Sequence, residues 1–238
     1  MIAERFIASV LPIRAAPEVA GVTVAARNDE AWTLYLSRPE RAYALAQTRI
    51  LRDAPTAQGG QGEQGSALGW AFLTRAFAQC RLIGQTPDPK KIAADFASAA
   101  LIFRARNHKR GLRLTQLSTA AIAMRMGQWP AALREFEALI GHFDLNTLDV
   151  DNFYLCFGLS TAYVYEGRLE DGLRFGYAAL HLAEQLDLFP EVAAAALPLG
   201  VALMAAKDPE EADAVSAAAI TAAVQARSEE HTSVLLSR

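Results

Sequence analysis

The feature that most constrains this chain is a motif that returns at a constant interval. Segments that read as helix openings stand at Asp88 (DPKKIAADF), Gln128 (QWPAALREF), Arg168 (RLEDGLRFG) and Asp208 (DPEEADAVS). A related opening, SRPERAYAL from Ser37, lies earlier and out of step. Asp88 and Asp208 are suited to capping the first free amides of a helix, and Pro89 and Pro209 fit the first helical position. Glu211 stands where it would complete a capping box, and Glu170 with Asp171 places negative charge at a helix N-terminus. The same interval holds in the segments before each opening. Cys80, Ala120, Ser160 and Gly200 are small, and Phe77, Leu117, Phe157 and Leu197, three positions earlier, are large and apolar. After each opening, Ala99, Leu139, Ala179 and Ala219 share a phase, as do Ala100, Ile140, Leu180 and Ile220. Small residues let helices approach and bulky ones fill the adjacent groove, so the pattern predicts stacked helix pairs.

Composition agrees with that prediction. The 238 residues are 52% hydrophobic but only 8% aromatic. The apolar content is therefore rich in Ala and Leu, which favour helices over strands. A net charge of −3 gives no global attraction for nucleic acid or an anionic membrane. Cys80 and Cys156 are the two cysteines and form no disulfide framework, which points to a reducing compartment. No apolar run approaches the roughly 18 residues that span a bilayer. The short apolar stretch Phe6–Ile13 is broken by Pro12 and is not expected to be a signal peptide, so a cytoplasmic location is expected.

The repeat resembles the tetratricopeptide (TPR) pattern. The residues that carry the resemblance are the small residue of the first helix, an aromatic three later (Tyr163) and a glycine four further on (Gly127, Gly167). Ala or Gly, a bulky residue and Ala follow in the second helix. The best match is STAYVYEGRLEDGLRFGYAAL, Ser160 to Leu180. The resemblance spans 28–227 and implies an all-α fold, a right-handed α-α superhelix or solenoid of about five antiparallel helix pairs. The chain departs from the family in its period, which exceeds the roughly 34 residues usual there and so requires longer helices. It departs also in Gly176 and Ser216 at a position held by Phe96 and Phe136, and in Pro198 inside a first helix, where a kink is expected.

The expected organisation is an N-terminal segment at 1–27, the helical repeat domain at 28–227 with a Gly/Gln-rich loop at 54–66, and a non-native tail at 228–238. With Arg227, the string RSEEHTS resembles a translated sequencing-adapter read. The loop holds Gly60, Gly62 and Gly65 in the spacing of a dinucleotide fingerprint. That motif requires a preceding strand, whereas the segment before it reads as helical, so a surface loop is expected.

No catalytic constellation emerges. His108, His142, His181 and His231 show no i, i+4 pairing and the cysteines have no partner at ligand spacing, so neither a metal nor a cofactor is expected. There is no P-loop, nucleophile elbow or GGDEF signature. Arg104, Arg106, His108, Lys109, Arg110 and Arg113 form a basic cluster, read either as a solvated turn or as a docking patch for an acidic partner or phosphate. It lacks the interleaved aromatics of a nucleic-acid surface. The TPR resemblance implies a groove lined by first helices. Its residues here would be Phe77, Arg81, Leu117, Met124, Arg125, Tyr154, Phe157, Thr161, Val164, Tyr165, Leu197 and Met204. Their apolar character suits an amphipathic protein or peptide segment as ligand; the alternative is that longer helices shift the phase and make these residues core.

The chain therefore reads as a non-catalytic interaction or sensory module with no direct nucleic-acid or membrane partner. Its alanine-rich array resembles the N-terminal regions of bacterial GGDEF-type diguanylate cyclases and the helical regions of MalT/LuxR-type regulators. Either resemblance implies a downstream output domain. A ligand-sensing regulator arm and a stand-alone TPR adaptor are the alternatives to a cyclase regulatory region.

Overall fold

A computed structural model describes residues 39–53, 63–81, 88–145 and 147–236. The segment expected at 1–27 and part of the loop at 54–66 lie outside them. Among the described residues there are nine α-helices and no strand. They are α1 (Pro39–Asp53), α2 (Glu63–Arg81), α3 (Pro89–Ala105), α4 (Lys109–Arg125), α5 (Trp129–Leu139), α6 (Val150–Tyr165), α7 (Leu169–Gln185), α8 (Phe189–Ala205) and α9 (Pro209–Leu236). The all-α expectation is met. The helix α2 opens at Glu63, so residues 63–66 belong to it and not to the preceding loop, and Gly65 of the fingerprint string is helical. The helix α9 runs from Pro209 to Leu236 and so crosses position 228, where the non-native tail is expected to begin.

The helix openings at 89, 129, 169 and 209 reproduce the interval of the sequence, and the structure divides it in half. Asn107, Gly127, Gly167, Asp187 and Lys207 all take a positive φ, between 53° and 76°. Their numbers advance by one constant step, with a single position, 147, passed over. Each marks the same helix stop. His108 N–H donates to Phe103 O (2.9 Å), and the pairs Gln128–Ala123 (2.9 Å), Arg168–Tyr163 (2.9 Å), Leu188–Ala183 (2.9 Å) and Asp208–Leu203 (3.0 Å) repeat that bond. The left-handed residue's own N–H returns to the carbonyl three back in every case, which completes a Schellman motif.

The predicted Asp208–Glu211 capping box is half made. Glu211 N–H donates to Asp208 Oδ1 (3.2 Å), but the Asp208 amide is already spent on Leu203 O. The Glu211 carboxylate instead accepts from the Tyr177 hydroxyl (3.1 Å). Asp88 caps α3 as expected, accepting from Lys90 N–H (3.0 Å) and Lys91 N–H (3.3 Å). The turn missing at Thr147 is replaced by a loop between α5 and α6. Asn152 anchors it, donating from Nδ2 to Asp144 O (2.6 Å) and Thr147 O (2.8 Å). Asp149 caps α6 by accepting from Asp151 N–H (3.1 Å).

The described residues fall into two compact units, 39–122 and 123–236, with the boundary inside the last turn of α4. In the first, Phe103 is fully buried among Leu73, Ile92, Phe96, Ala99 and Leu114. It lies against glycines of two other helices: a Cβ on Gly69 would stand 2.9 Å from its ring and one on Gly111 2.5 Å. Removing such a side chain leaves a cavity and costs about 3–5 kcal/mol. Across this core Arg75 of α2 donates from Nε to Asp95 Oδ2 of α3 (2.8 Å) and from Nη2 to Asp95 Oδ1. It also donates from Nη1 to Gln47 Oε1 of α1 (2.6 Å). The fork therefore ties three helices, and the buried carboxylate meets its counter-charge in two-pronged geometry.

In the second unit, Gly172 of α7 faces Val164 of α6 and Gly176 faces Ser160, so the two helices run antiparallel at close approach. Ser160 Oγ donates to Gly172 O across the seam (2.9 Å). Leu199 of α8 seats against Gly176. The bulky residue given up at Gly176 is thus the space that α8 fills. The helix α8 continues through Pro198, which supplies no N–H to Ala194 O.

A left-handed φ costs an L-residue roughly 1–2 kcal/mol, part of which glycine returns as unfolded-state entropy. Lys207→Gly is expected to raise unfolding free energy by about 0.5 kcal/mol and Gly167→Ala to lower it by about 1 kcal/mol, read from urea midpoints at constant slope.

Candidate functional site

The residues assigned to a groove from sequence do not share one environment. Leu117 and Met124 are buried and present no surface. Phe77 is half-buried, edge-on to Phe96 with ring centroids 5.5 Å apart, and Arg81 is the last residue of α2. Arg125 is exposed at the end of α4. In the second unit Tyr154, Phe157, Thr161 and Val164 are half-buried along α6. Phe157 stacks on the buried Phe153 at 5.9 Å, and Thr161 Oγ1 donates to Phe157 O (2.8 Å).

Three large apolar residues of the groove set stand open to solvent: Tyr165 (63% exposed), Leu197 (72%) and Met204 (60%). The recurrence that places Leu197 in phase with buried Leu117 therefore does not fix its burial. Gly200 has nothing within 4 Å of where a Cβ would be, unlike its counterpart Ser160, whose hydroxyl is bonded across a helix seam.

The structure adds two residues that the sequence interval does not select. Val201 (59% exposed) completes an i, i+4, i+7 row with Leu197 and Met204 on the side of α8 away from buried Ala195, Leu199 and Ala202. The signal is present in that spacing. Trp129 of α5 stacks on Tyr165 of α6 with centroids 3.9 Å apart and planes within 4°, and nothing in the sequence pairs them. The helices α6 and α8 touch. The second unit thus offers a row of aliphatic side chains on α8 and a stacked aromatic pair at one end of α6. Large apolar groups clustered in the open mark interaction surfaces more often than single ones do. A further outward pair, Ile220 and Val224, lies on the nearly all-apolar stretch of α9.

Polar groups of this unit are engaged with one another. Glu137 Oε1 accepts from Tyr163 OH (2.9 Å) and from Arg168 Nη1 (2.9 Å). Arg168 also donates from Nε (3.0 Å) and Nη2 (2.6 Å) to Asp171 Oδ2, and its guanidinium lies 4.4 Å from the Tyr163 ring centroid. Burial, then the bond to the Glu137 carboxylate, pushes the Tyr163 hydroxyl up to about 12. Burial alone pushes the Cys156 thiol up to about 12, and the side chain packs in the core.

In the basic cluster His108 is structural. Its Nδ1 accepts from Gly111 N–H (3.0 Å), capping α4, and its ring packs on Trp70 (5.5 Å) and Phe103 (5.0 Å). Arg110 lies over Trp70 at 5.8 Å. Arg104 and Lys109 are exposed, and Arg106 and Arg113 half-buried. Among the described residues no group of three or more His, Cys, Asp or Glu is placed to hold a metal ion, and no helix is long and apolar enough to cross a membrane. Comparison with known protein families and with characterised proteins gives no match.

The raised Tyr163 value has a consequence at alkaline pH. Its folded value lies above the ordinary one, so the folded state holds a proton that the unfolded state loses first. The stabilisation is whole below pH about 10 and disappears as pH rises through about 12. Tyr163→Phe should flatten the fall in urea midpoint over that window.

Proposed function

We propose that the chain is a non-catalytic interaction or sensory module, a TPR-like superhelical array whose second unit docks an amphipathic segment of a protein partner on α8 and the adjoining face of α6. The observation that carries this reading is the row Leu197, Val201 and Met204, three large aliphatic side chains in the open at helical spacing. A partner helix with apolar anchors at i, i+3 or i+4 and i+7 fits such a row, and the Trp129–Tyr165 pair supplies a rigid aromatic anchor beside it. Further support comes from the polar groups: the ionisable side chains around Tyr163 satisfy one another in ion pairs and hydrogen bonds, and the buried thiol is held protonated.

The resemblance to N-terminal regions of GGDEF-type diguanylate cyclases makes the partner, in this reading, an output domain or its regulator in the bacterial cytoplasm. A ligand-sensing arm of the MalT/LuxR type and a stand-alone adaptor use the same surface.

The test is selection of helical peptides from a displayed library against the full chain, followed by fluorescence anisotropy. The expected outcome is enrichment of peptides with i, i+4, i+7 apolar anchors whose affinity falls at least tenfold in Leu197→Glu/Met204→Glu. Both sites are open enough for stability to shift by only about 0.5 kcal/mol. Selected peptides that bind this variant unchanged would remove the reading.

A further inference from the structure

The first unit carries a recess of its own, independent of the surface on α8. It runs along the seam of α3 and α4, with a volume of about 330 Å³. One wall is Ala93, Ala97 and Ala100, spaced i, i+4, i+7 on α3, and the other is Thr115, Gln116 and Thr119 on α4. Buried Phe96 contributes to the floor. The trough is open along its length: Ala93, Ala97, Gln116 and Thr119 are all exposed. At about 1.5 Å per residue the stretch from Ala93 to Arg104 is roughly 16 Å long, about three turns of a helix laid in it.

Charge distinguishes the two ends. Arg104 lines one end, and its guanidinium makes no ion pair or hydrogen bond with a described residue. From Phe96 to Arg134 the sequence contains no Asp or Glu, while Arg104, Arg106, Lys109 and Arg110 fall within it. No acidic residue of this stretch is therefore at hand to answer Arg104. Asp95, just before it, is committed to Arg75 in the core.

We infer that the α3–α4 trough is a docking site for an amphipathic helix of a protein partner that carries carboxylates at the end facing Arg104. Small side chains on one wall let a helix backbone come close, and the apolar floor takes a row of aliphatic anchors. An enclosed pocket would suit a free fatty acid, which needs most of its surface covered; a trough open along one side suits a helix that keeps its own polar face in water. The cationic end steers the encounter and fixes the direction of the bound helix.

The experiment uses the full chain and a labelled helical peptide of about 14 residues with leucines at i, i+4, i+7 and i+11 and glutamates at one end. A twin carries lysines in place of the glutamates, and dodecanoate serves as competitor. The expected result is binding of the acidic peptide at least tenfold tighter than its twin, weakened at least tenfold by Ala97→Trp, which fills the exposed trough. Arg104→Glu should weaken it at least fivefold and reduce its salt dependence. All of these measurements are made in a Leu197→Glu/Met204→Glu background, which silences the surface on α8, so that only binding in the trough is read. Equal binding of the two peptides, indifference to Ala97→Trp, or displacement by dodecanoate at equimolar concentration would each overturn the inference. Circular dichroism of the surface variants separates loss of binding from loss of fold.

Discussion

A single backbone conformation governs this molecule: the left-handed residue that ends a helix and returns the chain. Because it recurs at a fixed interval, α3, α4, α7 and α8 are each 17 residues long. Helices of equal length enter and leave their packing partners at the same rotation about their axes. The fourth residue of α3, α5, α7, α8 and α9 is buried, as Ile92, Ala132, Gly172, Val192 and Ala212, while that of α4, Leu112, is half-buried. Side-chain size at that place varies from glycine to isoleucine, while the geometry of the turn does not.

This explains which parts of the fold can be read in advance. Asp88, Pro89, Asp208 and Pro209 announce helix starts because capping and proline chemistry are local. The half-length division is hidden, since three of the five left-handed positions hold Asn107, Asp187 and Lys207. Lysine carries no turn signal, and its φ is imposed by the packing on either side of it. The loop that replaces the turn at Thr147 obscures the interval further. Burial is legible only where a neighbouring helix exists to provide it. Leu117 and Leu197 share a phase and residue type, yet one is buried and the other is 72% exposed, because burial belongs to the pair of surfaces and not to the residue.

The candidate sites divide along the same line. A periodic row such as Leu197, Val201 and Met204 can be found by counting. The Trp129–Tyr165 stack and the α3–α4 trough depend on how helices lean against one another, which no interval encodes. The basic cluster proves to be several things at once. His108 and Arg110 serve packing and capping around Trp70, whereas Arg104 stands exposed at the mouth of the trough.

The even spacing of helix and turn also constrains how such a gene can change in length. One helix with its turn reverses the direction of the chain, so gaining or losing a single such piece would send every later helix the wrong way along its neighbour. A change of two pieces restores the heading and the buried phase together. A change in length therefore keeps the later helices in place only when it adds or removes a whole hairpin, and the Asn152-anchored loop between α5 and α6 is where an irregular insertion would disturb the register least.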